Sequence, residues 1–292
     1  MIVLGFDTAT QATAVGLRLA DGTTLHARDD PAAGAHPGHA TRLLTIAGGL
    51  LAQAELSWGE LERIAVGVGP GRFTGLRVGI ATARGLTQSL DAPLVGVSSL
   101  RALAFAAARA AGETPRSATI AVIDARRGEA FAAAYPAATD FTGLARTATL
   151  AEPELDPNVV DRAGPEHATS GEIAFPRALR PQELSEIVEL AERQGSPRGE
   201  RWRAVGDGAL LYGQALADGG VELLASESPL HLIDGGAVCE LGALASIASG
   251  GGSPETVLPD YRRSPDAALA RQVAPAAAPP PSPPPAAAGI RP

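Results

Sequence analysis

A glycine-rich segment at residues 67–79 has the spacing in this sequence that is most typical of a phosphate-binding loop. It joins an apolar, strand-like stretch to a helix-like one. A Walker-type loop needs a lysine directly before Ser or Thr to reach the phosphates, and all 24 cationic side chains of this chain are arginine. The dinucleotide fingerprint GxGxxG fails as well, because Arg72 stands where the third glycine is required. The segment therefore carries neither of these two nucleotide-binding motifs.

The helix predicted over residues 74–89 is itself rich in glycine, with Gly75, Gly79 and Gly85. An interior glycine destabilises a helix by ~1 kcal/mol relative to alanine, so a helix with several of them indicates that other backbone comes close. Two interpretations remain open. The glycines pack against the sheet or a neighbouring helix of this chain, or they form a small-residue face that docks a helix of another chain.

Two aspartates end apolar stretches in corresponding places of the two halves of the chain. Asp7 is followed by Thr8 and Thr10, and Asp124 ends a similar stretch later on. In a two-lobed nucleotide-binding fold, such carboxylates would face a nucleotide-bound metal, and the threonines would donate hydrogen bonds to a phosphate. The alternative is that both aspartates order tight turns at strand ends, which short polar side chains do well.

The five histidines do not form a recognisable metal motif. Only His36 and His39 are close together, and the intervening Pro37 and Gly38 prevent a helical pair of ligands. The HExxH pattern of metalloproteases and the GxSxG elbow of serine hydrolases are both absent from the sequence. The sequence therefore predicts no catalytic residue and no metal ligand.

The elements that must position these residues follow an informative order. Strands are predicted at 2–7, 12–19 and 23–28, then a helix at 38–54, a strand at 64–68, a helix at 74–89, a strand at 93–97 and a helix at 98–111. The pair Asp21 and Gly22 predicts a tight hairpin between the second and third strands. Three antiparallel strands followed by alternating helices and strands form the ribonuclease-H-like plan, which actin-like ATPases and sugar kinases use twice.

A second, degenerate copy of this plan begins near residue 118. Strands predicted at 119–123 and 129–135 repeat the first hairpin. Further along the chain, a helix is predicted at 182–193, a strand leading into a helix at 204–208, and a final apolar helix at 236–249. The rest of the stretch at 136–200 gives no clear pattern. We therefore predict an α/β, two-lobed actin-like (ASKHA, duplicated ribonuclease-H-like) fold. Its expected parts are a first lobe at 1–112, a degenerate second lobe at 113–232, a C-terminal helix and closing segment at 233–265, and a disordered tail rich in Pro and Ala at 266–292.

Composition limits the classes of partner. The formal net charge is -8, whereas a protein that holds nucleic acid by itself normally carries a basic surface, so any RNA would be held through another subunit. The single cysteine, Cys239, cannot form an internal disulfide. The first residues lack the pattern of a signal peptide, and no window reaches 18 uninterrupted apolar residues. We expect a cytoplasmic protein without membrane contact.

Several segments together carry a family resemblance. They are Phe-Asp-Thr-Ala-Thr at 6–10, His-Ala-Thr-Arg-Leu-Leu at 39–44, the glycine segment at 67–80, Gly-Val-Ser-Ser-Leu at 96–100 and Val-Ile-Asp-Ala-Arg at 122–126. With these segments the chain resembles the bacterial TsaB family, also called YeaZ, whose members take part in the biosynthesis of threonylcarbamoyladenosine in tRNA. Pro-Asp-Tyr-Arg-Arg at 259–263 is similar to the family's closing segment. The resemblance covers residues 1–135 closely and 200–265 more loosely.

The resemblance implies an actin-like fold without an active site of its own. In the related catalytic subunit TsaD, a metal-binding histidine pair lies in the segment that aligns with residues 97–103, where this chain has Ser99 and Leu103. The implied function is to bind TsaD, which transfers the threonylcarbamoyl group from threonylcarbamoyl-adenylate to the adenosine beside the anticodon of tRNAs that read codons beginning with A. The ATPase TsaE would join this assembly, and tRNA would be contacted only indirectly.

The resemblance also implies the location of the interface, because the family's dimer is built from the first two helices, here 38–54 and 74–89. The expected partner contacts are His39, Arg42, Leu43, Ile46, Phe73, Leu76, Arg77, Gly79, Ile80 and Arg84. A bulky residue at Gly79 should then abolish association and leave a folded monomer.

A vestigial nucleotide site is the second expected feature. Its residues would be Asp7, Thr8, Thr10, Arg72 and Asp124, with Arg72 directed toward a nucleotide or adenylate pocket shared with the partner. We expect no cofactor on this chain alone. ATP, ADP or threonylcarbamoyl-adenylate stay open as ligands of the complex.

Two alternatives to the heterodimer remain open. The chain could be a self-contained actin-like, ATP-dependent enzyme, either a small-molecule kinase or a glycoprotease-like protein, and the isolated chain would then bind ATP. It could instead be a homodimeric scaffold with no modification role that pairs through the same helices, because a surface that binds a related partner can also pair with itself.

Overall fold

The computed structural model describes residues 1–32, 34–111, 117–139, 141, 172–175, 177–245 and 252–262. Four expectations concern residues outside these ranges: the tail at 266–292, Arg263 of the closing segment, residues 142–171 of the unpatterned stretch, and residues 246–249 of the final helix. Within the described residues, the chain folds into two lobes, each built on its own five-stranded sheet.

The first lobe has the ribonuclease-H-like sheet that the element order predicts. Its strands are β1 (Val3–Asp7), β2 (Thr13–Arg18), β3 (Thr24–Asp29), β4 (Arg63–Gly69) and β5 (Leu94–Ser98). They lie in the order β3-β2-β1-β4-β5. The first three pair antiparallel, and β4 pairs parallel with both β1 and β5. This arrangement brings the ends of β1 and β4 side by side, which places Asp7 next to the glycine-rich segment.

Helices cover both faces of this sheet because the side chains of β1 alternate between two cores. Leu4 and Phe6 pack toward α1 (His39–Gln53) and α2 (Phe73–Leu90). Val3 faces the opposite side, where α3 and α8 lie. These last two helices span Ser99–Ala110 and Gly235–Leu244. The core under α3 and α8 continues into the second lobe and joins the two sheets.

The second lobe repeats the topology of the first with shorter elements. Its strands are β6 (Ala118–Arg126), β7 (Glu129–Tyr135), β8 (Ile173–Ala174), β9 (Trp202–Val205) and β10 (Glu222–Leu223). In space they run β8-β7-β6-β9-β10, with β6-β7 and β7-β8 antiparallel and β6-β9 and β9-β10 parallel. Its helices are α4 (Pro181–Leu184), α5 (Ile187–Arg193), α6 (Asp207–Leu211) and α7 (Gly213–Asp218). The prediction of a duplicated, two-lobed actin-like fold is therefore confirmed.

Helix α8 returns from the second lobe and lies directly on the first sheet. A Cβ atom added at Gly5 would stand 2.7 Å from the backbone nitrogen of Cys239, and one added at Gly16 would stand 2.3 Å from the carbonyl oxygen of Gly235. Backbone therefore meets backbone here, which only glycine permits. No helix in the described part of the chain is both long and apolar enough to cross a membrane.

Two predicted helices differ from those in the structure. The helix expected at 182–193 is split into α4 and α5, because Ser185 and Glu186 separate two short turns of helix. The final helix ends at Leu244, five residues before its predicted end, since Ala245 adopts an extended backbone conformation. Apolar residues continue beyond that point, and this continuity misled the prediction from periodicity.

Candidate functional site

Asp7, the first candidate nucleotide-site residue, is enclosed by the first lobe. Its carboxylate is 1% exposed. One oxygen, Oδ2, accepts a hydrogen bond from Ser99 Oγ at 2.5 Å, and Oδ1 accepts one from the Ala9 backbone at 2.7 Å. Burial raises the pKa of Asp7 above its usual 3.8, and these two hydrogen bonds partly offset the rise. The group therefore orders the interior of the lobe, as the turn-ordering interpretation proposed.

Thr8 explains why α2 contains glycine at two of its positions. Thr8 Oγ1 donates a hydrogen bond to the carbonyl oxygen of Gly75 at 2.8 Å. An added Cβ would stand 2.0 Å from the Thr8 carbonyl oxygen at Gly75, and 2.4 Å from Thr8 Oγ1 at Gly79. At Gly85, by contrast, an added Cβ meets no atom within 4 Å. The internal-packing interpretation therefore holds for Gly75 and Gly79, whereas Gly85 is open and its docking against another chain stays a prediction.

The turn after β1 also covers the glycine loop. A Cβ added at Gly71 would stand 2.5 Å from the Ala9 carbonyl oxygen, which accepts a hydrogen bond from the Arg72 backbone at 2.7 Å. At the end of β4, a Cβ added at Gly67 would collide with the Asp7 carboxylate. The concave backbone that a phosphate loop would offer to a ligand is occupied here by the chain's own residues.

His39 belongs to the same enclosed cluster. It is 6% exposed, and its Nδ1 lies 2.9 Å from Thr13 Oγ1. Burial lowers the pKa of His39 below its usual 6.5, and the positive charge of Arg72 adds to this effect; a hydrogen bond with the Thr10 backbone opposes it. A neutral imidazole therefore joins the start of α1 to the loop between β1 and β2.

The structure divides the residues expected at the partner interface into two groups. His39, Leu43, Leu76, Gly79 and Ile80 are buried inside the first lobe. Because so little of their surface is exposed, they offer a partner almost no contact area, and their assignment to the interface is corrected. The physical reason is the amphipathic spacing of α1 and α2, whose apolar side covers the sheet of this same chain.

The remaining interface residues reach the surface. Arg42 and Arg77 are exposed, and Ile46, Phe73 and Arg84 are half-buried. Arg42 pairs with Asp29, with 3.0 Å between Nε and Oδ1. Arg84 donates from Nη2 to the Val257 carbonyl oxygen at 2.9 Å. These side chains define the outer surface of α1 and α2, which we call the helix-pair surface.

Between the lobes, the structure brings together charged residues that are distant in sequence. Burial lowers the pKa of Arg72, and the charge of Arg126 lowers it further, while Asp124 and Asp207 raise it. Asp124 Oδ1 accepts a hydrogen bond from the Arg126 backbone at 2.8 Å. Of the five expected nucleotide-site residues, only Arg72 and Asp124 come into this shared electrostatic environment. Arg72 Nη1 is buried without a hydrogen-bond partner among the described residues.

Asp207 is the residue of this interlobe group that sequence reasoning missed. It begins α6, and its Oδ1 accepts a hydrogen bond from the Asp124 backbone at 3.1 Å. Burial raises the pKa of Asp207, and the negative charge of Asp124 raises it further. The predicted strand-to-helix junction at 204–208 could have revealed Asp207, because an aspartate at such a junction lies beside the end of the neighbouring parallel strand. The described part of the chain contains no cluster of three or more His, Cys, Asp or Glu residues that could hold a metal ion.

The described part of the closing segment, residues 252–262, supplies a second group of contacts that sequence reasoning missed. It is held to the first lobe by hydrogen bonds from the Asp260 backbone to the Val68 carbonyl at 2.8 Å and from the Leu94 backbone to the Gly252 carbonyl at 3.0 Å. At its end, Arg262 Nη1 donates to the Phe175 carbonyl of the second lobe at 2.8 Å. The segment therefore links the two lobes and passes over α2.

Comparison with known proteins places this arrangement in a family. A family model described as TsaD, tRNA N6-adenosine threonylcarbamoyltransferase, matches residues 32–185. The tRNA threonylcarbamoyladenosine biosynthesis protein TsaB of Escherichia coli is 31% identical over 233 residues, which cover 80% of this chain and 85% of that protein. An uncharacterized protein of Mycobacterium leprae is 40% identical over 172 residues, and the match spans 57% of this chain but only 44% of that protein.

Solved structures agree with the sequence relatives. YeaZ from Pseudomonas aeruginosa superposes with a TM-score of 0.58 at 26% identity, over 89% of this chain and 100% of that one. An uncharacterized protein with similarity to peptidase YEAZ, also from Pseudomonas aeruginosa, gives a TM-score of 0.61 at 27% identity, over 90% of this chain and 99% of that one. With its two ribonuclease-H-like lobes, its glycine-rich α2 and these relatives, the chain belongs to the TsaB (YeaZ) family.

Proposed function

We propose that this chain is a non-catalytic partner of TsaD in the formation of threonylcarbamoyladenosine in tRNA. Membership of the TsaB family supports the pathway. The observation that carries the non-catalytic role is the packing of Asp7 and Thr8 against Ser99, Gly75 and Gly79. The groups that would hold a metal-bound nucleotide in an actin-like enzyme are used here to pack the first lobe.

The helix-pair surface is the proposed site for TsaD. Its exposed positions include Leu44, which is 45% exposed, and the open glycines Gly49 and Gly85. An exposed leucine gives a partner apolar area to bury, and exposed glycines let a partner helix approach closely. The isolated chain can pair with itself through the same surface, so a homodimer and the heterodimer would compete.

The proposed role in tRNA modification is indirect. The net charge of -8 opposes the approach of a polyanion, so tRNA would be held by TsaD. TsaD would transfer the threonylcarbamoyl group from threonylcarbamoyl-adenylate, and TsaE would join as the ATPase. This chain would bind no nucleotide alone, and equilibrium dialysis with ATP tests that part of the proposal.

An omission assay tests the function. Threonylcarbamoyl transfer to tRNA is reconstituted from TsaD, TsaE and the adenylate-forming enzyme of the same organism, with and without this chain. We expect product only when the chain is present. Equal product without it would overturn the proposal. ATP bound tightly by the isolated chain would direct attention to an actin-like enzyme instead.

A further inference from the structure

The closing segment places an aromatic side chain on the helix-pair surface. Val257 is 2% exposed and anchors the segment in the first-lobe core. The Asp260 backbone then donates to the Val68 carbonyl, and the next residue, Tyr261, reaches the start of α2. Tyr261 is 38% exposed. A residue far from α2 in sequence thereby becomes part of the surface that α2 presents.

Tyr261 forms a compact cluster with Phe73 and Arg77. The ring centroids of Phe73 and Tyr261 are 4.9 Å apart. The guanidinium carbon of Arg77 lies 3.8 Å from the Phe73 centroid, and Arg77 Nε donates to Tyr261 Oη at 3.0 Å. Stacking on an aromatic face and a hydrogen bond through Nε restrict the rotamers of a side chain that is otherwise flexible. The arginine is therefore held in one orientation while it remains exposed.

Arg77 is also without a countercharge in the described part of the chain, where no carboxylate lies within ion-pair distance of it. Its Nε is occupied by Tyr261, which leaves the two Nη groups on the exposed edge of the guanidinium. Two parallel N–H donors in a plane match a carboxylate, which can accept both. A phosphate backbone would instead favour several cations together, and the neighbouring Arg84 is already bonded to the Val257 carbonyl.

We infer that Arg77, oriented by Phe73 and Tyr261, is an anchor that receives an Asp or Glu carboxylate of the partner protein. The inference rests on the proposed function and adds to it a recognition chemistry and a residue, Tyr261, outside the two helices. Aromatic residues and arginine are the side chains that most often dominate binding at protein interfaces. The orientation of Arg77 before binding reduces the entropy lost when the complex forms.

The test measures the affinity of TsaD for the full chain and its variants by titration calorimetry. Arg77→Ala should weaken binding by ~30-fold or more, as at other arginine hot spots. Arg77→Lys should weaken it nearly as much, because lysine keeps the charge but loses the planar pair of donors. Tyr261→Phe keeps the ring and removes the oxygen that accepts from Arg77, so a loss of ~3-fold to 10-fold is expected. Arg198→Ala, at an exposed position of the second lobe, is the matched control and should bind like the unchanged chain.

The outcomes separate the inference from the proposed function. If the unchanged chain binds TsaD and both Arg77 variants bind equally well, the carboxylate anchor is overturned and the proposed function stands. If the Arg77 variants keep their affinity for TsaD but the complex loses affinity for tRNA or ATP, Arg77 binds a phosphate group instead of a carboxylate, and the inference fails. If the unchanged chain does not bind TsaD, the proposed function fails, and the inference fails with it. Thermal unfolding of each variant verifies that the lobes remain folded.

Discussion

The two lobes share one topology, but they use it differently. In the first lobe, the turn after β1 is packed under α2, which has 18 residues and lies beside α1, which has 15. In the second lobe, the corresponding aspartate, Asp124, lies near the end of β6 with its side chain partly exposed, and the helix after β9 has only five residues. The comparison teaches that two lobes can keep the same strand order while the end of the first strand is enclosed in one lobe and more open in the other. In the first lobe the strand end is buried, and two long helices lie on the outside.

The turns at the two strand-to-helix junctions share one backbone feature. Gly69 ends β4, and Gly206 follows β9. Each has a backbone φ of 102°, which residues other than glycine rarely adopt. At both junctions the chain passes close to the first strand of its sheet: a Cβ added at Gly206 would collide with the Val122 carbonyl oxygen of β6, and one added at Gly67, two residues before Gly69, would collide with the Asp7 carboxylate of β1. The two lobes therefore share this glycine conformation although the side chains around it differ.

The largest expected effect comes from filling the enclosed side of α2. Gly79→Val places carbon atoms where Thr8 Oγ1 already lies, so overpacking should lower the free energy of unfolding by about 3 kcal/mol or more. Urea denaturation measures the loss. A stable variant that fails only to bind TsaD would instead restore Gly79 to the partner interface.

Removing the link between the lobes should have the next largest effect. Arg262 is 10% exposed and holds Asp260 as well as the Phe175 carbonyl. Arg262→Met keeps the apolar stem and loses the charged hydrogen bonds, which should destabilise the chain by about 2 kcal/mol. The loss should appear in the unfolding midpoint, and it should broaden the transition if the lobes then unfold separately. An unchanged midpoint would mean that the core under α3 and α8 joins the lobes without the closing segment.

These elements show how much the sequence could predict. The alternation of apolar strands and the amphipathic spacing of α1 and α2 depend on local pattern, so the duplicated fold was predictable. The roles of Gly75, Gly79 and Gly85 were not, because a sequence pattern does not tell which side of a glycine another chain segment covers. Tyr261 and Asp207 were missed for a related reason: each acquires its neighbours through contacts between residues far apart in the chain.

The enclosed strand end should also affect stability as a function of pH. The pKa of Asp7 is raised by burial in the folded state, so between the usual 3.8 and the raised value the folded state binds more protons than the unfolded state. Stability therefore falls as pH rises through that window. Asp7→Asn should flatten this part of the profile, and Ser99→Ala should steepen it, because the hydrogen bond that stabilises the carboxylate is lost. Unfolding free energies measured across the window verify the sign, and a steeper profile for Asp7→Asn would contradict it.

The smallest effect is expected on the open side of α2. Gly85→Ala meets no neighbouring atom and improves helix propensity, so it should stabilise the chain by about 0.5–1 kcal/mol. Thermal unfolding, measured for Gly85→Ala and for Gly79→Val, should show shifts of the midpoint in opposite directions within one helix. A loss of stability at Gly85 would show that an unseen contact covers this position.

Thiol labelling at matched leucines tests most directly whether the first lobe carries the partner surface. The native Cys239 is fully buried, and burial raises its pKa, so its thiol should stay unreactive. Leu44→Cys on α1 and Leu211→Cys on α6 replace side chains that are 45% and 61% exposed. Labelling of each variant is followed by mass spectrometry on this chain, alone and with TsaD. We predict that TsaD slows labelling strongly at position 44 and leaves position 211 unchanged; protection at 211 with free labelling at 44 would contradict the account.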